Sequence, residues 1–554
     1  VSTVSRWHGA FPAPAPSLPM PLPMSVPSRL LLTSLTLLPA CGGPGVQVTQ
    51  GAAIRHAAPK YQKGYQPPVF LDSTRVSRIE AVLPEIEEVF VRNARESHYP
   101  GHAYAVLVDG ELVLSGGVGT ANRETQAPVT ADSEFHIASM TKSFTSMAIL
   151  KLRDEGLLSI QDPVVAFLPE LADLSYLTND APAVTIEHLM TMTSGFPEDN
   201  PWADRHLEDS GEVFMGFLRN GLSMSTVPST AYEYSNLGYG MLGTIVTRVS
   251  GRAYQDYIRE EILLPLGMHD TYWEYENVPA AQLALGYHWI DGGWTREPML
   301  HTGAFGAIGG LITSINDFSK YVSFHLSAWP PRSGADDGPV TRSTVREMHR
   351  AESMRLSPDA KNARGEPCPS MRGYGFGLIE NIDCRGVRCI SHTGGLPGFG
   401  SQYQFYPDHG VAVISFANRR YGSSRGAHAE VTELLFGKAG LAPRTLPVSG
   451  VLASRASQVV ELILTWDEDL GMQILADNFY LDRSKAERQR EAVRLLTEAG
   501  SILRTDPIEP QNQLRGTFMI RGTQRDLRVF FTLSPENEAR IQRLDIRAQA
   551  KVAE

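Results

Sequence analysis

The order of sequence patterns predicts an α+β fold. Strand-like stretches come first and last in the main body of the chain, and a long helical middle separates them. Apolar runs suited to strands lie at residues 103–108 and 111–115, and again at 403–406 and 411–417. Apolar residues at helical spacing follow Ser139, Glu187 and Leu237. A sheet built from both ends of a domain over residues 76–440 is therefore expected. After about residue 445 the pattern restarts, with helical stretches at 456–474 and 484–500. Alternating strands follow at 514–520, 527–533 and 540–546, predicting a separate small α+β domain over 445–554.

Composition sets the class. The chain has 554 residues, 42% hydrophobic and 20% charged, enough for more than one packed domain. Its net charge of −11 with no basic run argues against a nucleic-acid partner.

The first 41 residues read as a leader. Residues 11–23 are proline-rich and cannot build helix or core. Met24-Ser-Val-Pro-Ser-Arg29 then precedes an apolar run over 30–40 that ends at Cys41-Gly-Gly. A charged start, a short apolar stretch and a small residue before a cut describe a secretory signal. Leu38-Pro-Ala-Cys41 resembles a bacterial lipobox, which implies a lipidated Cys41 and a membrane anchor facing the periplasm or cell exterior; a plain signal peptide is the alternative. The run is too short for an ordinary membrane span. Because the sequence opens on Val1, translation is expected to start at Met20 or Met24. Residues 42–75 read as a tether.

The chemistry starts at Ser139-Met-Thr-Lys142, which opens the helical pattern Met140, Phe144, Met147, Ile149, Leu152. Three residues apart on a helix, a lysine ammonium reaches a serine oxygen. A serine hydroxyl becomes nucleophilic when a nearby base takes its proton or a cation favours the alkoxide. No other lysine in the chain has a serine at that offset. Ser139 is also an ordinary helix-capping residue type, so the motif needs partners.

Two follow in order. Tyr234-Ser-Asn236 precedes the apolar helix pattern Leu237, Met241, Ile245, Val246. A tyrosine beside an ammonium loses its proton more easily and can shuttle one, while the Asn236 amide can hold the lysine and a substrate carbonyl. Ser391-His392-Thr393-Gly394-Gly395 lies between apolar strand runs at 387–390 and 404–406. Paired glycines allow the close backbone approach needed where a strand edge offers an N–H to an oxyanion.

Together these motifs resemble the penicillin-recognising serine hydrolases, in the branch of class C β-lactamases, DD-peptidases and related esterases. The likeness runs over about residues 80–440 and includes Thr185-Ile-Glu-His-Leu-Met-Thr-Met-Thr-Ser-Gly195, Pro265-Leu-Gly-Met268 and Tyr374-Gly-Phe-Gly377. The resemblance implies a β-lactamase/transpeptidase-like fold, a central antiparallel sheet flanked by helices beside a helical lobe. It implies Ser139 as acylated nucleophile, Lys142 as activating cation, Tyr234 as proton shuttle and Asn236 as positioning group. The backbone N–H groups of Ser139 and Gly395 would form the oxyanion hole, with His392, Thr393 and Gly394 positioning the substrate. No metal or cofactor is implied.

Two departures bear on substrate. The third motif begins with His392 where many relatives have lysine, so attraction for a substrate carboxylate is expected to be weaker and pH-dependent. Gly395 also stands where class C β-lactamases carry a hydroxyl. An ester or D-amino-acid peptide is therefore favoured over efficient β-lactam hydrolysis. A catalytically silent scaffold or binding protein of the cell envelope is the alternative, which the intact Ser139, Lys142, Tyr234 and Asn236 disfavour.

Gly422-Ser-Ser-Arg-Gly426 matches the nucleophile-elbow pattern, but six residues separate its central serine, Ser424, from the preceding strand run at 411–417. Its one later histidine is His428. The match is read as accidental. Cys384 and Cys389 bracket a short turn and could form a disulfide across a hairpin in an oxidising compartment, leaving Cys368 unpaired. No second cysteine pair or histidine cluster completes a metal site with them.

Overall fold

The computed structural model describes residues 64–551. Cys41, the leader and most of the tether lie outside the described residues. No described helix is long and apolar enough to cross a membrane.

A nine-stranded antiparallel sheet dominates the main body, and its order shows how both chain ends meet. Gly101–Val108 sits near the centre, with Glu111–Asn122 and Ala127–Pro128 on one side. On the other side follow Val411–Ala417, Phe399–Tyr406, Arg388–Leu396, Ile379–Ile382, Ser370–Tyr374 and Arg355–Ser357. The join is the pairing of Gly101–Val108 with Val411–Ala417, with His102 opposite Ala417 and Val108 opposite Val411.

Both faces of that centre are covered, which explains why these strands read as continuous apolar runs. Ala103, Ala105 and Leu107 point into the core shared with Phe144, Met147 and Phe318 on the helical side. The alternate residues Tyr104, Val106 and Val108 pack with Phe90, Val431 and Leu435. Those last three come from Leu83–Glu96, Arg425–Glu433 and the turn that follows it. Period-two alternation thus feeds two cores from one strand.

The helical lobe places the site. Lys142–Asp154 is buried along most of its length and packs against Asn236–Ser250. Ser139 sits just before it, on a 3-10 turn spanning Ala138–Thr141. Ala138 carries a φ of +50°, an uncommon conformation for a residue with a Cβ. The turn is held by Ser401, whose hydroxyl donates to the Ile137 carbonyl at 2.7 Å.

Residues 450–549 form a second core around Val459, Phe479, Leu495, Phe518 and Phe531. Arg515–Gly522, Asp526–Leu533 and Ile541–Gln549 form adjacent antiparallel strands there. The helical stretch expected at 456–474 is two helices, Gly450–Thr465 and Glu468–Ile474. Trp466 adopts a left-handed φ of +50° between them, and the Asp467 carboxylate caps the second by accepting from Leu470 N at 2.8 Å. Lys485–Ala499 opens on a capping box made by Ser484 and Glu487.

The cysteine pairing differs from expectation. Cys368 and Cys384 are bonded, with Cα atoms 5.0 Å apart, and Cys389 is free. Register is the reason: Ile382 pairs with Arg388 and Asn381 with Cys389, so Cys384 lies in the turn and does not face Cys389. Cys368 arrives from outside the hairpin. Non-reducing peptide mapping of the oxidised protein should recover a Cys368–Cys384 crosslink and no peptide joining Cys384 to Cys389. Removing it with Cys384→Ser should cost about 3 kcal/mol in denaturant unfolding.

Candidate active site

The nucleophile turn brings Ser139 and Lys142 into contact. The Lys142 ammonium nitrogen lies 2.9 Å from Ser139 Oγ and 2.9 Å from the Ile308 carbonyl. The lysine is fully buried, and no carboxylate touches it among the described residues. Burial therefore dominates its titration and pulls it down to about 7, against the opposing charges of Asp204 and Asp199. The expected activating cation is thus an amine that can be neutral near physiological pH.

Tyr234 stands on the other side of Ser139. The Lys142 nitrogen is 5.1 Å from its ring centroid. Burial pushes its phenol well above the ordinary range, outweighing a hydrogen bond with Ser139. The expected ease of deprotonation beside the lysine is not found, because lost hydration of the phenolate dominates and the nearby Asp204 charge acts in the same direction. Tyr234 therefore keeps its phenol proton at neutral pH.

Asn236 begins Asn236–Ser250, and its surroundings are set by Asp199. That carboxylate accepts from the backbone N–H groups of Asn236 at 2.8 Å and Leu237 at 2.7 Å, where a helix N-terminus favours negative charge. The Asn236 amide donates to Asp199 at 3.0 Å and to Asn200 at 2.8 Å. Its oxygen is buried without a partner. Its donors thus serve the Asp199–Asn200 segment, and the expected contact with the lysine is not among the described hydrogen bonds.

The strand Arg388–Leu396 supplies the third wall. Ile379–Ile382 pairs with it only through Ser391, so the edge beyond, from His392, has no strand on that side. His392 Nδ1–H donates to the Thr393 carbonyl at 2.7 Å, and the Tyr374 phenol donates to Nε2 at 3.0 Å. A carbonyl can only accept, which fixes the tautomer. Burial, aided by the charge of Lys142, holds this imidazole down to about 3. The expected partial charge on His392 is therefore absent at physiological pH, and so is its pH-dependent pull on a carboxylate.

Gly394 does not line the cavity; it lets the strand approach the nucleophile. A Cβ there would stand 2.2 Å from the Ile137 carbonyl oxygen and 2.9 Å from Ala138 Cβ. Gly377, at φ +73°, does the same on the far side, 2.7 Å from Ser143 Cα.

A cavity of about 470 Å³ opens over these groups, lined by Ser139, Tyr234, His392, Thr393 and Gly395. Four further lining residues were not singled out from the sequence: Asp204, Arg372, Tyr421 and Arg425. Asp204 and Arg372 come from separate segments without a motif, while Tyr421 and Arg425 sit at the Gly422–Gly426 stretch read as an accidental match, so no sequence signal groups the four. Arg372 and Arg425 are exposed and make no ion pair among the described residues. The rival elbow serine, Ser424, is buried against His102 at 3.3 Å, and His428 instead meets Ser415 at 2.8 Å.

A family model described as Beta-lactamase matches residues 85–436. Protein flp of Staphylococcus aureus strain MW2 is 27% identical over 349 residues, covering 61% of this chain and 64% of that protein. The chain therefore spans just under two thirds of that relative's length. Beta-lactamase-like protein 2 of Dictyostelium discoideum is 30% identical over 261 residues, 46% of this chain and 47% of its own. Among solved structures, the octameric penicillin-binding protein homologue from Pyrococcus abyssi superposes with a TM-score of 0.53 at 21% identity, over 85% of this chain and 96% of that one. The penicillin-binding protein from Bacillus halodurans gives 0.51 at 22% identity, over 63% and 99%.

The glycine geometry is testable by substitution. Gly394→Ala should lower unfolding free energy by about 1–3 kcal/mol, because the new methyl must displace the nucleophile turn. Gly216→Ala, in the helix Gly211–Arg219 with nothing within 4 Å of a new Cβ, should raise it by up to about 1 kcal/mol. Urea unfolding of both variants checks the contrast.

Proposed function

This chain belongs to the β-lactamase family, and on that premise we propose that it is an exported serine hydrolase that cleaves an ester or amide through an acyl-enzyme at Ser139. Its fold is the β-lactamase/transpeptidase-like one, and serine hydrolase chemistry is the family's type. The observation that carries the proposal is the buried Lys142 amine, 2.9 Å from Ser139 Oγ and titrating near neutrality.

Neutral Lys142 accepts the proton of Ser139 as the oxygen attacks the substrate carbonyl. The backbone N–H groups of Ser139 and Gly395 receive the developing oxyanion. Tyr234, still carrying its proton, donates it to the departing oxygen or nitrogen and is recharged from the Lys142 ammonium. Water then attacks the ester; its proton goes to Lys142, which returns one to Ser139. Each step closes its proton balance within Ser139, Lys142, Tyr234 and water.

Substrate preference follows from charge. A neutral His392 offers no cation to a substrate carboxylate, which supports a small uncharged ester over efficient β-lactam turnover. Positive charge on the cavity wall comes instead from Arg372 and Arg425, which would serve the carboxylate of a D-amino-acid peptide. Export is supported by the leader over 1–41 with its lipobox-like Cys41, and by the Cys368–Cys384 bond, which suits an oxidising compartment.

Hydrolysis of p-nitrophenyl butyrate tests the reading. Lys142→Ala should lower kcat/KM by about 10²–10⁴-fold with an unchanged far-UV circular dichroism spectrum. Wild-type rates in the folded variant would remove the lysine's role and the mechanism with it.

A further inference from the structure

Asp204 is the one carboxylate among the residues lining the catalytic cavity. It is 4% exposed and lies on a short turn, Ala203–His206. The preceding segment is pinned, since Asp199 caps Asn236–Ser250 and the Ala203 N–H donates to the Asp199 carbonyl at 3.0 Å. One Asp204 oxygen, Oδ2, accepts from the Tyr421 phenol at 3.1 Å. The other, Oδ1, has no hydrogen bond among the described residues and is not sealed from the cavity.

Tyr421 fixes this carboxylate beside the reacting centre. It holds a φ of +48°, and its ring lies against Gly395, where a Cβ would meet Tyr421 Cδ1 at 2.8 Å. A hydroxyl-bearing residue in place of Gly395 would clash with that ring. The glycine that departs from the class C pattern and the tyrosine that orients Asp204 are thus one arrangement.

Buried carboxylates are ordinarily paired with a cation. Asp204 forms no ion pair among the described residues; the Lys142 charge acts on it without contact, and that amine spends its hydrogen bonds on Ser139 and Ile308. A free carboxylate oxygen facing a cavity beside a nucleophile fits a cation brought in by the ligand. We propose that Asp204 anchors a substrate ammonium close to the scissile carbonyl, so that the site takes amino-acid esters or amides with a free amine. This inference rests on the Ser139 acyl-enzyme reading and narrows its substrate class. Burial raises the Asp204 carboxyl above its ordinary value, and an adjacent ammonium favours its charged form.

The test is protection of Ser139 from a fluorophosphonate at pH 7, read by intact mass. The competitors are D- and L-phenylalaninamide and their N-acetyl derivatives, which lack the cation. At least one free amine should halve the labelling rate at a concentration about tenfold or more below its N-acetyl partner. That ratio should collapse towards one in Asp204→Asn and persist in Asp204→Glu. Because the ratio compares two ligands on one protein, a general change in reactivity cancels. Equal protection by both forms, no protection by either, or a ratio that survives in Asp204→Asn overturns the proposal while Ser139 is still labelled. Absence of labelling on folded wild type would instead remove the acyl-enzyme reading, and this inference with it.

Discussion

The structure depends on keeping one primary amine out of water against one hydroxyl. An isolated ammonium in an apolar interior is costly, and Lys142 relieves that cost by titrating near neutrality. Neutral, it is a base; in water it would be a spectator cation. Everything around it serves this exclusion. Gly377 brings its strand connection onto the helix backbone, Gly394 brings the strand edge onto the nucleophile turn, and the Ile308 carbonyl holds the amine in place.

The same exclusion acts on its neighbours with consistent sign. Burial favours the neutral forms of the Tyr234 phenol and the His392 imidazole as well. The inner site is thus a set of groups that burial keeps neutral. Charge sits in the walls instead, with Arg372 and Arg425 exposed and Asp204 buried but open to the cavity. In the proposed reading, chemistry and recognition are thereby separated: the neutral interior would make and break bonds, and the charged walls would select what enters.

Much of this was legible in the sequence where local pattern decides it. Residues 411–417 read as a strand and are one, because a strand covered on both faces must be apolar throughout. Ser139, Lys142, Tyr234 and His392 were found because their motifs are contiguous, and the fold brings them around one cavity. What was missed depends on three-dimensional placement. The Cys368–Cys384 bond follows from hairpin register, and the helix break at Trp466 from a backbone angle with no glycine to announce it. The protonation of Tyr234 and His392 follows from burial, with neighbouring charges acting in the same direction, and burial is not written in a motif. Asp204, Arg372 and the Tyr421–Arg425 stretch converge from three segments that no spacing rule connects.

The central claim is that a neutral Lys142 activates Ser139. Its most direct test is the pH dependence of fluorophosphonate addition to residues 42–554, followed by intact mass in wild type and Ser139→Ala. A single adduct is predicted on the wild type and none on the variant. Its rate should fall as pH drops through about 7, where Lys142 takes up a proton and ceases to be a base. An adduct that persists in Ser139→Ala, a rate indifferent to pH across that range, or no adduct on folded wild type would contradict the account.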